Sequence, residues 1–283
     1  MGALAGMAMG LHHTGISHPT NTAAEMIHNI IKSKPTRLFL VLAGIFIANA
    51  IIAEVIGVKI FSLEETLGIP KASIDLLGEK GLSFSLSVGV IPWPVIFIMT
   101  DIVNEYYGVK GVRFLSFLAA ILIAFAFLIF YFAIHAAPDT GWRYRALEPG
   151  VADQQAAYVQ ILGQGMNIII GSLVAFLLGQ MVDALTFRRI KKITGEKNIW
   201  MRATVSTLVS QLIDSVVVTF VAFYLFRDFS LATVTAWALT AYMYKFLIAV
   251  LMTPVVYLVH GWIERYLGHD MAKEMKSAAM KEG

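Results

Sequence analysis

The 283 residues include no cysteine, which excludes disulfides, thiolate metal sites and a thiol nucleophile. Charge is scarce too: 14% of the chain is Asp, Glu, Lys or Arg, 58% is hydrophobic, and mean hydropathy is +0.71. Soluble domains carry about 25% charged residues, so a water-soluble globule is excluded. Also missing are a phosphate-cradling Gly-rich loop, a His-Glu-x-x-His zinc motif and a Gly-x-Ser-x-Gly elbow. Without a nucleotide site, ATP-driven work would need separate subunits. An intramembrane enzyme has no convergent nucleophile and base to support it. A carrier without a cofactor is the expectation.

What the chain does have is long apolar runs. A bilayer core takes about 20 apolar residues per helix, and six segments qualify: Leu38 to Val58, Leu82 to Thr100, Phe114 to Ala137, Val159 to Leu185, Ala203 to Phe226 and Leu231 to Val259. The predicted fold is all-α, a polytopic bundle of six transmembrane helices joined mostly by short loops. Pro92 and Pro94 fall inside the second segment and predict a local break. Two loops on the same side are long, Lys59 to Gly81 and Pro138 to Ala157. Three helices plus three would permit an inverted repeat, but the best internal echo, GQMVDALTF against SQLIDSVVVTF, joins adjacent helices.

Fifteen Lys and Arg fall on the side of the termini and six on the other. The positive-inside rule therefore puts both termini in the cytoplasm. The basic run between Arg188 and Arg202 is a topology signal before it is a nucleic-acid surface, and no nucleic-acid partner is expected. The predicted organisation is a disordered or peripheral cytoplasmic leader over 1–36, a transporter domain over 37–262 and a cytoplasmic tail over 263–283. The leader lacks the basic start and cleavage site of a signal peptide. His12, His13 and His18 within it have no acidic or cysteine partner to make a metal site.

An ionisable residue at mid-membrane costs about 2.5 to 3.5 kcal/mol on insertion scales, so such residues mark a cavity or a partner. The spans hold Asn49 and Glu54; Asp101, Asn104 and Glu105; Gln164, Asn167, Gln180 and Asp183; Gln211 and Asp214; and Lys245. Three sets share a spacing of three, which places both members on one helix face: Asp101 with Asn104, Gln180 with Asp183, Gln211 with Asp214. Each joins an acceptor-only carboxylate to a carboxamide that donates and accepts, a combination suited to a planar ligand with ring N–H, amino and carbonyl groups. Bridging between helices, for about 1 kcal/mol each, is the plainer role for any single pair.

Depth separates the residues. Asn49, Asp214 and Lys245 fall near mid-membrane, and Lys245 with Asp214 form a natural ion pair, structural or functional. Asp101, Glu105 and Asp183 lie nearer the cytoplasmic ends, placed for proton coupling or gating. Trp93 and Phe97 are the first choice for a stacking surface, with membrane packing as the plainer role. The predicted substrate site is thus Asn49, Trp93, Phe97, Gln180, Gln211, Asp214 and Lys245.

The stretch GVIPWPVIFIMTDIVNEYYGVKGVR (Gly89 to Arg113) resembles the signature of the vitamin uptake transporter family, the queuosine precursor transporters. The matching elements are Pro94, Asp101, Glu105, Tyr107, Gly108 and Arg113. Ser210, Gln211 and Asp214 resemble the family's Ser-Gln-x-x-Asp hallmark. Asn49 and Lys59 are similar to its first-helix pattern, in which Glu54 is not matched. The likeness covers roughly residues 37 to 262. It implies an importer of 7-deazaguanines, the 7-cyano or 7-aminomethyl precursors of queuosine, in the inner membrane and with room for a homodimer. Asp214 and Gln211 would read the guanine-like edge with help from Asn49. The rival is a substrate-binding subunit of an importer energised by separate ATPases.

Overall fold

The computed structural model describes residues 32–144, 151–163, 169–195, 198–225 and 229–281. Most of the expected leader, with His12, His13 and His18, lies outside the described residues, as do Gln164 and Asn167.

Helix α1 (Lys34–Ile56) starts where Ser33 caps it, accepting from the Thr36 N–H, with Pro35 in the first turn where no amide hydrogen is needed. The chain then forms two small antiparallel sheets instead of the loop expected there. Strand β1 (Ile60–Ser62) pairs with β4 (Ser85–Ser87), and β2 (Ile74–Leu76) with β3 (Glu79–Leu82). Between β1 and β2, α2 (Leu63–Leu67) presents Glu64, only 2% exposed, as their hub. Its carboxylate accepts from the N–H groups of Phe84 (2.8 Å) and Ala72 (3.3 Å) and from Ser62 Oγ (3.3 Å). Desolvation pushes its pKa up, but these hydrogen bonds outweigh that and hold it below the usual carboxylate value. Thr233 Oγ1 donates to Glu79 Oε1 (2.7 Å) and ties β3 to the helical bundle.

The expected second span therefore starts late. Leu82 ends β3, Ser85–Ser87 form β4, a 3₁₀ turn covers Val88–Val90, and α3 (Trp93–His135) begins with Pro92 and Pro94 at its first turn. The predicted proline break is a helix start, where the missing N–H groups were orphans in any case.

Helix α3 has no loop where the second and third spans were expected to part. It turns at one residue, Gly108, with φ 69° and ψ −174°. Phe39 of α1 packs on rings from both sides of that kink, with centroids 4.9 Å from Tyr107 and 6.3 Å from Phe114. At the far end of α1, a Cβ on Gly89 would lie 3.2 Å from Gly57 Cα, while Glu54 and Val58 share a cleft with Phe127 and Phe130. Residues 89 and 127 would stand roughly 55 Å apart on a straight helix. Both meet the last turns of α1, so α3 is an antiparallel hairpin of two arms. In the second arm Leu115, Ser116, Ala119, Ile123 and Phe127 are buried, while Phe117, Ile121, Phe125, Leu128 and Phe132 are exposed as a lipid-facing wall.

A short turn, α4 (Thr140–Arg143), and α5 (Gln154–Gly163) lead to α6 (Ile169–Thr194). Helix α7 (Ile199–Thr219) runs on as a π-helix through Phe220–Leu225. Gly171 of α6 lies so near it that a Cβ there would collide with Val221 Cγ1. Small residues at such crossings let helices gain dispersion contact, the main attraction available in lipid.

The expected last span is shorter than its apolar run: α8 (Leu231–Leu251) stops before Pro254, and a separate helix, α9 (Thr253–Leu267), follows. The 21 residues of α8 are already long enough to cover a bilayer core of about 30 Å. The tail is ordered as α10 (His269–Lys281) and packs at the α3 kink, where a Cβ on Gly108 would lie 3.1 Å from Ala279 O. Among the described residues four helical segments are long and apolar enough to cross a membrane: Lys34–Ile56, Val88–His135, Met201–Leu225 and Leu231–Leu251. The protein is a mostly helical, multi-pass membrane protein.

Candidate functional site

The first arm of α3, α6 and α7 meet along their polar faces. Thr100 Oγ1 donates to Gln180 Oε1 (2.9 Å), Asn104 Nδ2 to Ala184 O (3.1 Å), and Ser210 Oγ to Asp183 Oδ1 (3.2 Å). The three carboxylate and carboxamide pairs thus converge from three helices. All six side chains are buried, none more than 5% exposed.

Asp214 stands one step above the junction, with its Cβ 3.7 Å from where a Cβ on Gly179 would be. Its Oδ2 receives Lys245 Nζ at 2.6 Å, and the same ammonium lies 5.3 Å from the Trp93 ring centroid. Trp93 and Phe97 pack with centroids 5.6 Å apart. Asn49, half-buried, donates Nδ2 to Ile45 O of its own helix (2.8 Å). Glu105 is completely buried with two cations: Arg202 Nη2 is 2.8 Å from Oε1 and Lys191 Nζ 3.1 Å from Oε2. Arg202 also donates to Gly195 O, so the cluster pins α3 to both α6 and α7.

Among the described residues, the buried acceptors in this region with no hydrogen-bond partner include Asp101 Oδ1, Asp183 Oδ2 and Gln211 Oε1. Each such oxygen costs about 1 to 3 kcal/mol of desolvation. Beside them, Phe97, Asp101, Thr207, Ala249, Met252 and Val256 line a cavity of about 20 Å³. That admits a water, whereas ligand pockets run to about 300–1,000 Å³. The polar faces are assembled and the site is closed around them.

Nearer the α3 kink, His260 of α9 is buried with Nδ1 3.5 Å from Tyr106 Oη, and Lys276 of α10 lies 5.4 Å from the Tyr106 ring and pairs with Glu264. Burial pushes the His260 pKa down to about 4; Glu105 and Glu264 oppose this, while Lys276 and Arg202 add to it.

Several partners here are missing from the sequence-based set. Thr100 and Ser210 bridge the helices, yet hydroxyls inside a span carry little signal. Lys191 and Arg202 count as loop charges in a charge tally, although a carboxylate as deep as Glu105 requires a cation. Ser172, which donates to Glu54, gives no sign of that role in sequence.

A buried polar seam inside an apolar helical bundle fits a membrane transporter. The family model described as "Putative vitamin uptake transporter" matches residues 87–259, and the chain belongs to that family. A curated relative, the "Probable queuosine precursor transporter" of Bacillus subtilis (strain 168), is 28% identical over 191 residues, which covers 65% of this chain and 74% of the relative. No solved structure matches.

Proposed function

We propose that this protein imports queuosine precursors, 7-cyano-7-deazaguanine or 7-aminomethyl-7-deazaguanine, across the inner membrane. The chain crosses six times with both termini cytoplasmic: α1, the two arms of α3, α6, α7 and α8. The observation that carries the proposal is the trio of unpartnered acceptors, Asp101 Oδ1, Asp183 Oδ2 and Gln211 Oε1, contributed by three helices. A guanine-like edge presents adjacent ring N–H and amino donors, which carboxylates accept, and the Gln211 amide can also meet its carbonyl. Gln180 supports this edge through Thr100. Trp93 and Phe97 supply the stacking face, next to the Asp214–Lys245 pair that closes the site above.

Import is a secondary process coupled to protons, with Asp101 and Asp183 as acids exchanging between substrate and proton. Glu105, held by two cations, fixes the cytoplasmic ends of the helices. The relative's name supports the substrate class, and the depth of the acids supports the coupling. Uptake of labelled base by the purified chain in liposomes tests this. Accumulation that follows an imposed pH gradient is expected; transport only with added ATPase subunits would favour a binding subunit of a larger importer instead.

A further inference from the structure

Glu54 is a carboxylate inside α1 that the substrate site does not use. It lies two residues from the non-cytoplasmic end of its helix, half-buried. Ser172 of α6 donates to its Oε1. Ser172 precedes Gly179, which abuts Asp214, by seven residues, so Glu54 sits roughly 10 Å above the ion pair. Glu54 shares with Val58, Phe127, Phe130 and Leu162 a cleft too narrow to hold a water. About two turns further along α6 stand Asp214 and, paired with it, Lys245; Ser172 is neutral, and the second arm of α3 and α5 present only apolar side chains to that cleft. A carboxylate costs several kcal/mol to keep charged in such surroundings unless it is paired with a cation, and its partner here is a hydroxyl.

Building on the transport activity proposed above, we propose that Glu54 is the outer proton-accepting group of the carrier. It takes a proton from the non-cytoplasmic side, and this cancels the negative charge facing Asp214. The Asp214–Lys245 pair senses that change across about two helical turns. Glu54 thereby couples outside pH to the roof of the substrate site without touching substrate.

The experiment uses the full chain in liposomes with two readouts. One proton per substrate across a gradient of one pH unit supports about ten-fold accumulation of 7-deazaguanine. Glu54→Gln should abolish that accumulation while exchange of labelled for unlabelled base continues, and Glu54→Asp should restore part of it. Independently, infrared difference spectra between acid and neutral pH should contain a carboxylic acid carbonyl band that Glu54→Gln removes. Unchanged pH-driven accumulation in Glu54→Gln, or accumulation that follows sodium and ignores pH, overturns the proposal. If the unmodified protein takes up no base at all, the transport assignment fails. The carbonyl band then still decides Glu54: its loss in Glu54→Gln supports a proton-accepting carboxyl, and its persistence overturns one.

Discussion

Lys245 Nζ lies 2.6 Å from Asp214 Oδ2, with the Trp93 ring 5.3 Å from the same ammonium. The pair joins α7 to α8. Removing one partner of a buried pair strands the other charge and costs about 3 to 5 kcal/mol, whereas replacing both is often neutral. Asp214→Asn and Lys245→Met should each lower the unfolding temperature in detergent, and the double variant should recover most of the loss. Uptake should stay absent in all three, because the roof of the site needs the charge pair as well as the packing.

The unpartnered acceptors predict the opposite pattern. Asp101→Asn, Asp183→Asn and Gln211→Ala each remove or soften a group that costs about 1 to 3 kcal/mol to bury unpaired. Their thermal stability should equal or exceed that of the unmodified protein while substrate uptake falls by roughly ten-fold or more. Matched unfolding and uptake measurements on the same preparations check this.

Gly108 turns α3 back with φ 69° and meets Ala279 of α10. Alanine there combines backbone strain with a contact of 3.1 Å to a carbonyl oxygen, at a cost of about 1 to 3 kcal/mol. Gly108→Ala should detach α10, read as faster proteolysis of the C-terminal 15 residues (269–283) at unchanged membrane insertion.

His260 is neutral and buried, with its pKa pushed down to about 4 from an ordinary value near 6.5. The unfolded chain therefore binds more protons between those values, and stability falls as pH drops from 6.5 towards 4. The loss amounts to at most about 3 kcal/mol. Unfolding temperatures at pH 7.5 and 5 should differ less in His260→Gln than in the unmodified protein.

How much of this was legible in the sequence depended on the kind of signal. Apolar runs located the helical core because lipid imposes length and composition together. Boundaries were less legible: residues 82–92 are as apolar as a span but form strand and a 3₁₀ turn, since Pro92 and Pro94 can only open a helix. The run from Leu231 to Val259 likewise hides a break at Pro254. The reversal at Gly108 needs one residue, where sequence reasoning expects a loop. For the site, the spacing of three placed the acids and amides on shared faces, and the structure brings those faces together. It could not show that Asp214 is taken up by Lys245 while Asp101 and Asp183 keep a free oxygen, because that depends on helix rotation. Nor could it seat Glu105 between Lys191 and Arg202, which lie 86 and 97 residues further along.

The central claim is that Asp101, Asp183 and Gln211 together hold a 7-deazaguanine. Its most direct test is calorimetric titration of purified protein with 7-cyano-7-deazaguanine and 7-aminomethyl-7-deazaguanine, repeated with Gln211→Ala and Asp183→Asn. Saturable binding of at least one base, weakened about ten-fold or more in both folded variants, is the predicted result. Equal affinity in all three proteins, or no binding of either base, would contradict it.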